Sequence, residues 1–201
     1  MVGEWNTTSA WIGEQNKINP VLTIDFPHSL GLLYSAFTSY CGFKVNSGEY
    51  KLMGLAPYGK PIYYNLIKNK LVKIYDDGTF ELNLKYFSFY NDFTMTNKLF
   101  DALFSNNFRQ RESIIKKIHM DIAASIQKIT EEIVIKLTIS LKEKYKIKNL
   151  CLAGGVALNC VANGKILKKN IFENIWIQPA AGDAGGSLGA ALAYWYRELG
   201  K

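Results

Sequence analysis

Eight aliphatic residues, Ile115, Ile118, Ile122, Ile126, Ile129, Ile133, Leu137 and Leu141, follow one another at steps of three and four. That period puts them on one face of an α-helix and predicts a single amphipathic helix over 113–141. Beyond it, Asn149-Leu150-Cys151-Leu152-Ala153 reads as a buried strand, Gly154-Gly155 as a turn and 158–169 as a helix. Asn174-Ile175-Trp176-Ile177-Gln178 reads as a second strand, which leads through Pro179 into another glycine-rich turn and a last helix over 187–199. This helix-strand-helix-strand-helix order predicts an α/β fold, with helices covering a sheet.

The first half of the chain alternates hairpins and short helices. Strands over 4–11 and 21–25, joined by a polar turn at 13–16, predict a hairpin. Its first strand starts almost at residue 1, with nothing before it to pair with, so the chain has the look of a piece of something longer. Ser29 is an N-cap and Gly42 a stop for a helix carrying Leu32, Leu33, Ala36, Phe37 and Tyr40. Ser47 is placed to cap a short helix with Glu49, Tyr50, Lys51 and Met53, which Ala56-Pro57-Tyr58-Gly59-Lys60-Pro61 must end. A third helix follows Pro61, and Asp76-Asp77-Gly78 joins strands at 71–75 and 79–83 into a second hairpin.

Composition excludes several classes. A chain that is 48% hydrophobic and 13% aromatic is not generally disordered. No apolar run approaches the ~18 residues of a membrane span, and the first residues have neither a basic stretch nor an apolar core of a secretory signal. The net charge of +7 includes only three arginines, Arg109, Arg111 and Arg197. Sequence readers of nucleic acid lean on arginine forks, so dispersed lysines predict a solvated basic face and no specific nucleic-acid partner. Lys142, Lys144, Lys146 and Lys148 stand where they complement a helix C-terminus. Cys41, Cys151 and Cys160 form no C-x-x-C pair, and His28 and His119 share no ligand spacing with each other. Neither a disulfide framework nor a structural zinc site is expected, and reduced thiols point to the cytoplasm.

Chemistry concentrates at the two glycine turns, because ligands of open α/β sheets bind beyond the carboxyl ends of the strands. In Gly154-Gly155-Val156-Ala157-Leu158-Asn159, paired glycines let a flat group approach the backbone, and Asn159 offers a donor and an acceptor, which suits an adenosine-like ligand. In Gly182-Asp183-Ala184-Gly185-Gly186-Ser187, amides at a helix start suit phosphate and Asp183 suits a cation. Each has a plainer alternative, a tight turn or an N-cap, but recurrence in adjacent strand-helix units favours a ligand. Neither is a dinucleotide fingerprint or a phosphate-loop motif. Lys51 suits an anionic group, while Glu49 and Lys51 could equally be a surface pair worth under ~1 kcal/mol. Cys160 lacks a basic neighbour in sequence and reads as a packed thiol rather than a nucleophile.

Four blocks, in order, carry a resemblance. They are Phe26-Pro27-His28-Ser29-Leu30-Gly31-Leu32-Leu33-Tyr34-Ser35-Ala36-Phe37-Thr38, Gly48-Glu49-Tyr50-Lys51-Leu52-Met53-Gly54-Leu55-Ala56-Pro57-Tyr58-Gly59, Leu152-Ala153-Gly154-Gly155-Val156-Ala157-Leu158-Asn159-Cys160 and Pro179-Ala180-Ala181-Gly182-Asp183-Ala184-Gly185-Gly186-Ser187-Leu188-Gly189-Ala190-Ala191. Together they resemble the signature blocks of the nodulation-protein-U and cephamycin-type O-carbamoyltransferases; 62–147 resembles the family only loosely. The resemblance implies an N-terminal domain like the tRNA threonylcarbamoyl-transferring subunits. Its fold is of the actin and sugar-kinase (ribonuclease H-like) ATPase superfamily, with helices packed on a mixed sheet. It also implies transfer of a carbamoyl group from carbamoyl phosphate, through carbamoyl-adenylate made with ATP, to a hydroxyl of a sugar, antibiotic or similar small molecule.

On this resemblance, residues 1–201 match the later part of the carbamoyl-transfer domain. The upstream strands, an H-x-x-x-H histidine pair and the C-terminal adenylate-forming domain have no counterpart in them, which implies a chain inactive by itself. Gly154, Gly155, Val156, Asn159, Gly182 and Gly185 match nucleotide-contacting positions. Asp183 matches a ligand of a divalent metal, iron among the options, and Glu49 and Lys51 enter as substrate-site candidates. Two other readings compete. A sugar-kinase-like or threonylcarbamoyl-transferring relative is disfavoured by Pro27-His28-Ser29-Leu30-Gly31 and Met53-Gly54-Leu55-Ala56-Pro57-Tyr58-Gly59. A basic nucleic-acid-binding module without catalysis is disfavoured by the scarcity of arginine.

Overall fold

The computed structural model describes residues 5–200, so the expected start of the first strand at Glu4 lies outside the described residues. The long helix, α5, runs Lys117–Tyr145. It starts four residues later than the apolar period predicts, because Ser113 and Lys116 are engaged outside it. The Ser113 carbonyl accepts from Arg109 Nε at 2.9 Å, and the Lys116 amide donates to His119 Nδ1 at 2.9 Å. Lys146, in the left-handed conformation with φ 56°, ends it. Ile122, Ile126, Ile129 and Ile133 are fully buried, as their spacing requires.

Around α5 pack α1 (Leu30–Tyr40), α2 (Glu49–Leu55), α3 (Tyr64–Lys70), α6 (Cys160–Lys168) and the tight turn at 56–58. Ser29 caps α1, its Oγ accepting from the Leu32 amide at 3.1 Å, and Gly42 follows the helix with φ +75°. Ser47 does not cap α2. Gly48 stands at the cap position without a side-chain bond, and Glu49 in the first turn accepts from the Asn46 and Gly48 amides that precede the helix, at 2.9 and 3.1 Å. A helix without a sequence expectation, α4 (Lys98–Leu103), is capped by Asn97. It brings Phe100, and Phe104 just beyond it, against Phe37 and Tyr40 with ring centroids 5.1–5.8 Å apart.

The structure is mixed α/β, but the strands form three two-stranded sheets among the described residues rather than one mixed sheet. β1 (Asn6–Glu14) and β2 (Lys17–Asp25) make an antiparallel hairpin whose strands run further toward the turn than expected. β3 (Val72–Ile74) and β4 (Phe80–Leu82) flank Gly78, at φ +86°. β5 (Asn149–Leu152) and β6 (Asn174–Ile177) are parallel, with α6 between them in sequence. β5 is not the buried strand expected. Asn149 and Cys151 are exposed and Leu150 and Leu152 half-buried, since β5 pairs only with β6 among the described residues. The helix expected at 158–169 divides into a 3-10 turn at Gly155–Leu158 and α6, and Asn159 caps α6 through the Ala162 amide at 3.0 Å. The last helix, α7 (Gly185–Ala193), opens two residues early, widens to π geometry over Tyr194–Glu198 and buries none of its side chains. No helix among the described residues is long and apolar enough to cross a membrane.

Candidate functional site

β5 and β6 deliver their two glycine turns side by side, and one backbone bond joins them: the Gly154 amide donates to the Ala181 carbonyl at 2.6 Å. Gly154 has φ +99° with open space where a Cβ would sit, so conformation rather than crowding requires glycine there. Gly185 differs, since a Cβ would lie 2.3 Å from the Ala180 carbonyl oxygen inside its own turn.

A concavity lies on each side of this joint. The first, about 450 Å³, is formed by Ala153, Gly154, Gln178 and the 180–186 turn with Asp183. The second, about 390 Å³, is a cleft between α1, α2 and the 155–159 turn. Its walls are Leu30, Leu32, Tyr50, Met53, Val156 and Leu158, with Tyr34, Ser35, Glu49, Thr130 and Asn159 supplying polar groups. Gly182 lines both spaces. Four blocks remote in sequence thus meet at one cleft, the last through Gly182 alone, and its volume falls within the ~300–1,000 Å³ of small-molecule sites.

Among the described residues no lysine, arginine or histidine lines the cleft, and Glu49 is the one carboxylate that does. Glu49 Oε1 accepts from Ser35 Oγ at 2.8 Å and the Asn46 amide at 2.9 Å, whereas Oε2 has only the Gly48 amide at 3.1 Å. A carboxylate lining the cleft selects hydroxyl or cationic groups and repels phosphate. Lys51 lies on the exposed side of α2 and lines neither space, and Glu49 is anchored elsewhere than to it. Burial pushes the Tyr34 phenol far above its ordinary range, and Cys41, Glu131 and Glu49 push the same way, so its hydroxyl stays a donor.

Gly155, Val156, Asn159 and Gly182 line the cleft, while Gly154, Gly182, Asp183 and Gly185 line the other concavity. Asn159 is nearly buried, and its amide faces Gln127, exchanging hydrogen bonds of 3.0 and 3.1 Å with it. Gln127 carries no signal in the sequence beyond being a polar residue within an amphipathic helix. Cys160 is exposed rather than packed, its Sγ 3.9 Å from Met53 Sδ, because α6 turns Ala162, Asn163 and Ile166 inward instead.

Asp183 is exposed and does not act as the side-chain cap of α7. It also stands alone as a metal ligand, since no cluster of three or more His, Cys, Asp and Glu suited to an ion occurs among the described residues. His28 Nδ1 accepts from the Leu82 amide at 3.0 Å, and both nitrogens of His119 face backbone groups. One oxygen-donor residue does not hold an ion against water, so the described residues do not by themselves make a metal site.

A strand-turn-helix pair with a ligand-sized cleft beside its turns is the arrangement in which α/β folds hold small molecules. Residues 1–192 match the family model described as Carbamoyltransferase N-terminus, and the chain belongs to that family. It is 60% identical over 198 residues, 98% of the chain and 32% of the relative, to an uncharacterized protein of Synechocystis sp.. It is 37% identical over 182 residues to nodulation protein NolNO of Sinorhizobium fredii and to nodulation protein NolO of Bradyrhizobium diazoefficiens, covering 90% of the chain and 25% and 31% of those proteins. The chain therefore spans between a quarter and a third of the length of these relatives.

Proposed function

We propose that this chain is the nucleotide-holding part of an O-carbamoyltransferase. The whole enzyme would move a carbamoyl group from carbamoyl phosphate, through carbamoyl-adenylate, to a hydroxyl of a sugar, antibiotic or similar small molecule. The observation that carries this reading is the joint between Gly154 and Ala181, with one concavity on either side and Gly182 common to both. Charge orients the ligand. Adenosine lies in the cleft between the apolar side chains of Leu30, Tyr50, Val156 and Leu158, with its ribose hydroxyls donating to Glu49. The phosphates point away from that carboxylate, across Gly182 toward the amides of the 182–186 turn.

In the transfer step the acceptor oxygen attacks the carbamoyl carbon, the bond from that carbon to the adenylate phosphate oxygen breaks, and AMP leaves with the electron pair as the hydroxyl proton is lost. The residues that hold the nucleotide thus hold the leaving group. The fold this reading extends to is the actin and sugar-kinase type, in the cytoplasm. Lys51, which lines neither space, has no part in it. Calorimetric titration of the chain with ATP and with adenosine tests the reading. Both should bind, and Glu49→Gln should weaken both; saturation by neither would overturn it.

A further inference from the structure

A chain of buried side-chain hydrogen bonds runs beneath the cleft, centred on Gln127 of α5, and its completeness is unusual for a single amide. Gln127 Nε2 donates to Asn159 Oδ1 and to Glu131 Oε1, both at 3.1 Å. Its Oε1 accepts from Asn159 Nδ2 at 3.0 Å and from the Tyr34 hydroxyl at 3.1 Å. Both hydrogens and both lone pairs of the amide are thereby used. The two amides meet in a closed two-bond ring. Asn159 also caps α6, and Glu131 Oε2 pairs with Lys165 on α6, so one side chain on α5 ties together α1, the 155–159 turn and α6.

Burying this many polar groups brings little net stability over an apolar core of the same shape. It does fix geometry. The apolar contacts of Val156 and Leu158 would tolerate a shift of the turn, whereas the amide ring accepts one register only. Two members, Tyr34 and Asn159, are themselves walls of the cleft, and Thr130, one turn along α5 from Gln127, is a third.

We propose that Gln127 is a positioning residue. Held in orientation by the Tyr34 hydroxyl and Glu131, it sets the Gly154–Asn159 turn at the spacing from α1 and α2 that the cleft's ligand requires. This rests on the cleft being the nucleotide site, but it makes a separate claim about the turn. Two variants separate positioning from packing. Gln127→Met keeps length and apolar contact while removing all four hydrogen bonds, and Tyr34→Phe removes one of the two bonds that hold the amide in orientation. The readouts on the 201-residue chain are ATP affinity, thermal melting and amide hydrogen exchange resolved to 154–158.

Positioning predicts that Gln127→Met weakens ATP by about tenfold or more, the scale of one or two lost buried hydrogen bonds. Tyr34→Phe should weaken it less, and in both variants exchange at 154–158 should rise by more than in α5. Unchanged affinity and unchanged exchange at 154–158 in folded Gln127→Met would overturn the proposal. Should Gln127→Met fail to fold, the same two readouts on Tyr34→Phe decide it. Should the wild-type chain not bind ATP, the nucleotide reading falls and the exchange comparison alone supports or overturns the role of Gln127.

Discussion

Glu49 shows how much a single residue can carry in this chain. Its carboxylate holds the Asn46 and Gly48 amides that lead into α2, accepts from the Ser35 hydroxyl and belongs to a side chain that lines the cleft. Glu49→Gln keeps the shape but puts an NH₂ donor where an acceptor is needed. We expect ATP affinity to fall about tenfold, the scale of one charge-assisted hydrogen bond, while Lys51→Ala leaves it unchanged. Equal effects of the two would contradict the assignment. Asp183→Asn tests the other concavity. Because Asp183 caps nothing, melting should shift by less than ~0.5 kcal/mol, as at an ordinary surface position. A large loss of stability would make it structural.

His119 adds a pH dependence. Burial lowers its pKa below the ordinary 6.5, and the neighbouring charges of Arg109 and Lys116 work the same way against the bond to the Asn107 carbonyl. The neutral ring accepts the Lys116 amide on Nδ1, a position that a proton would block. A depressed folded pKa means that the contribution is fully present above about pH 6.5 and is lost as pH falls from there toward the folded value. Urea midpoints measured from pH 7.5 down to 5 should therefore decline, and His119→Gln should flatten that decline; parallel curves would refute it. At this scale the sequence is legible where chemistry is local. Asn159 and the Gly154–Gly155 turn announce themselves by following a strand, whereas the role of Gln127 depends on three partners brought together only by the fold.

Among the elements, α5 is the most legible because its apolar face has one period and one neighbour surface. Its ends are not, since Arg109 and His119 set the start through contacts that no periodicity encodes. α4 had its sign in Asn97 followed by Leu99 and Phe100, but at six residues it is too short for a period to show. β5 misleads because an apolar run reads the same whether a strand has one neighbour or two. The segment leaving α2 makes a sharper point. A Cβ on Gly59 would lie 1.9 Å from the Met120 carbonyl oxygen, so backbone meets backbone there, while Gly54 in α2 has nothing within 4 Å. Gly59→Ala should cost at least about 2 kcal/mol, with neither side able to yield. Gly54→Ala should instead stabilise by roughly 0.5–1 kcal/mol through helix propensity. Denaturant midpoints of the two variants check this, and a neutral Gly59→Ala would mean that the turn at 56–58 moves freely on α5.

For the whole molecule, the four sequence blocks proved more informative than composition. All four contribute to one cleft, although nothing in their spacing says so. Membership of the carbamoyltransferase N-terminus family agrees with that convergence, while the chain spans no more than a third of its relatives. No group of three or more His, Cys, Asp and Glu suited to an ion occurs among the described residues, so on the proposed reading the isolated chain should not consume carbamoyl phosphate and ATP with any hydroxylated acceptor. Turnover by the chain alone would contradict this division of labour. In the proposed binding mode adenosine and phosphate occupy different sides of the Gly154–Ala181 joint, and amide shift mapping reads out both. Adenosine should perturb the amides of 48–53 and 155–159, and ATP should perturb these and the amides of 182–186 as well. Perturbation of 182–186 by adenosine alone, or of neither turn by ATP, would contradict the account.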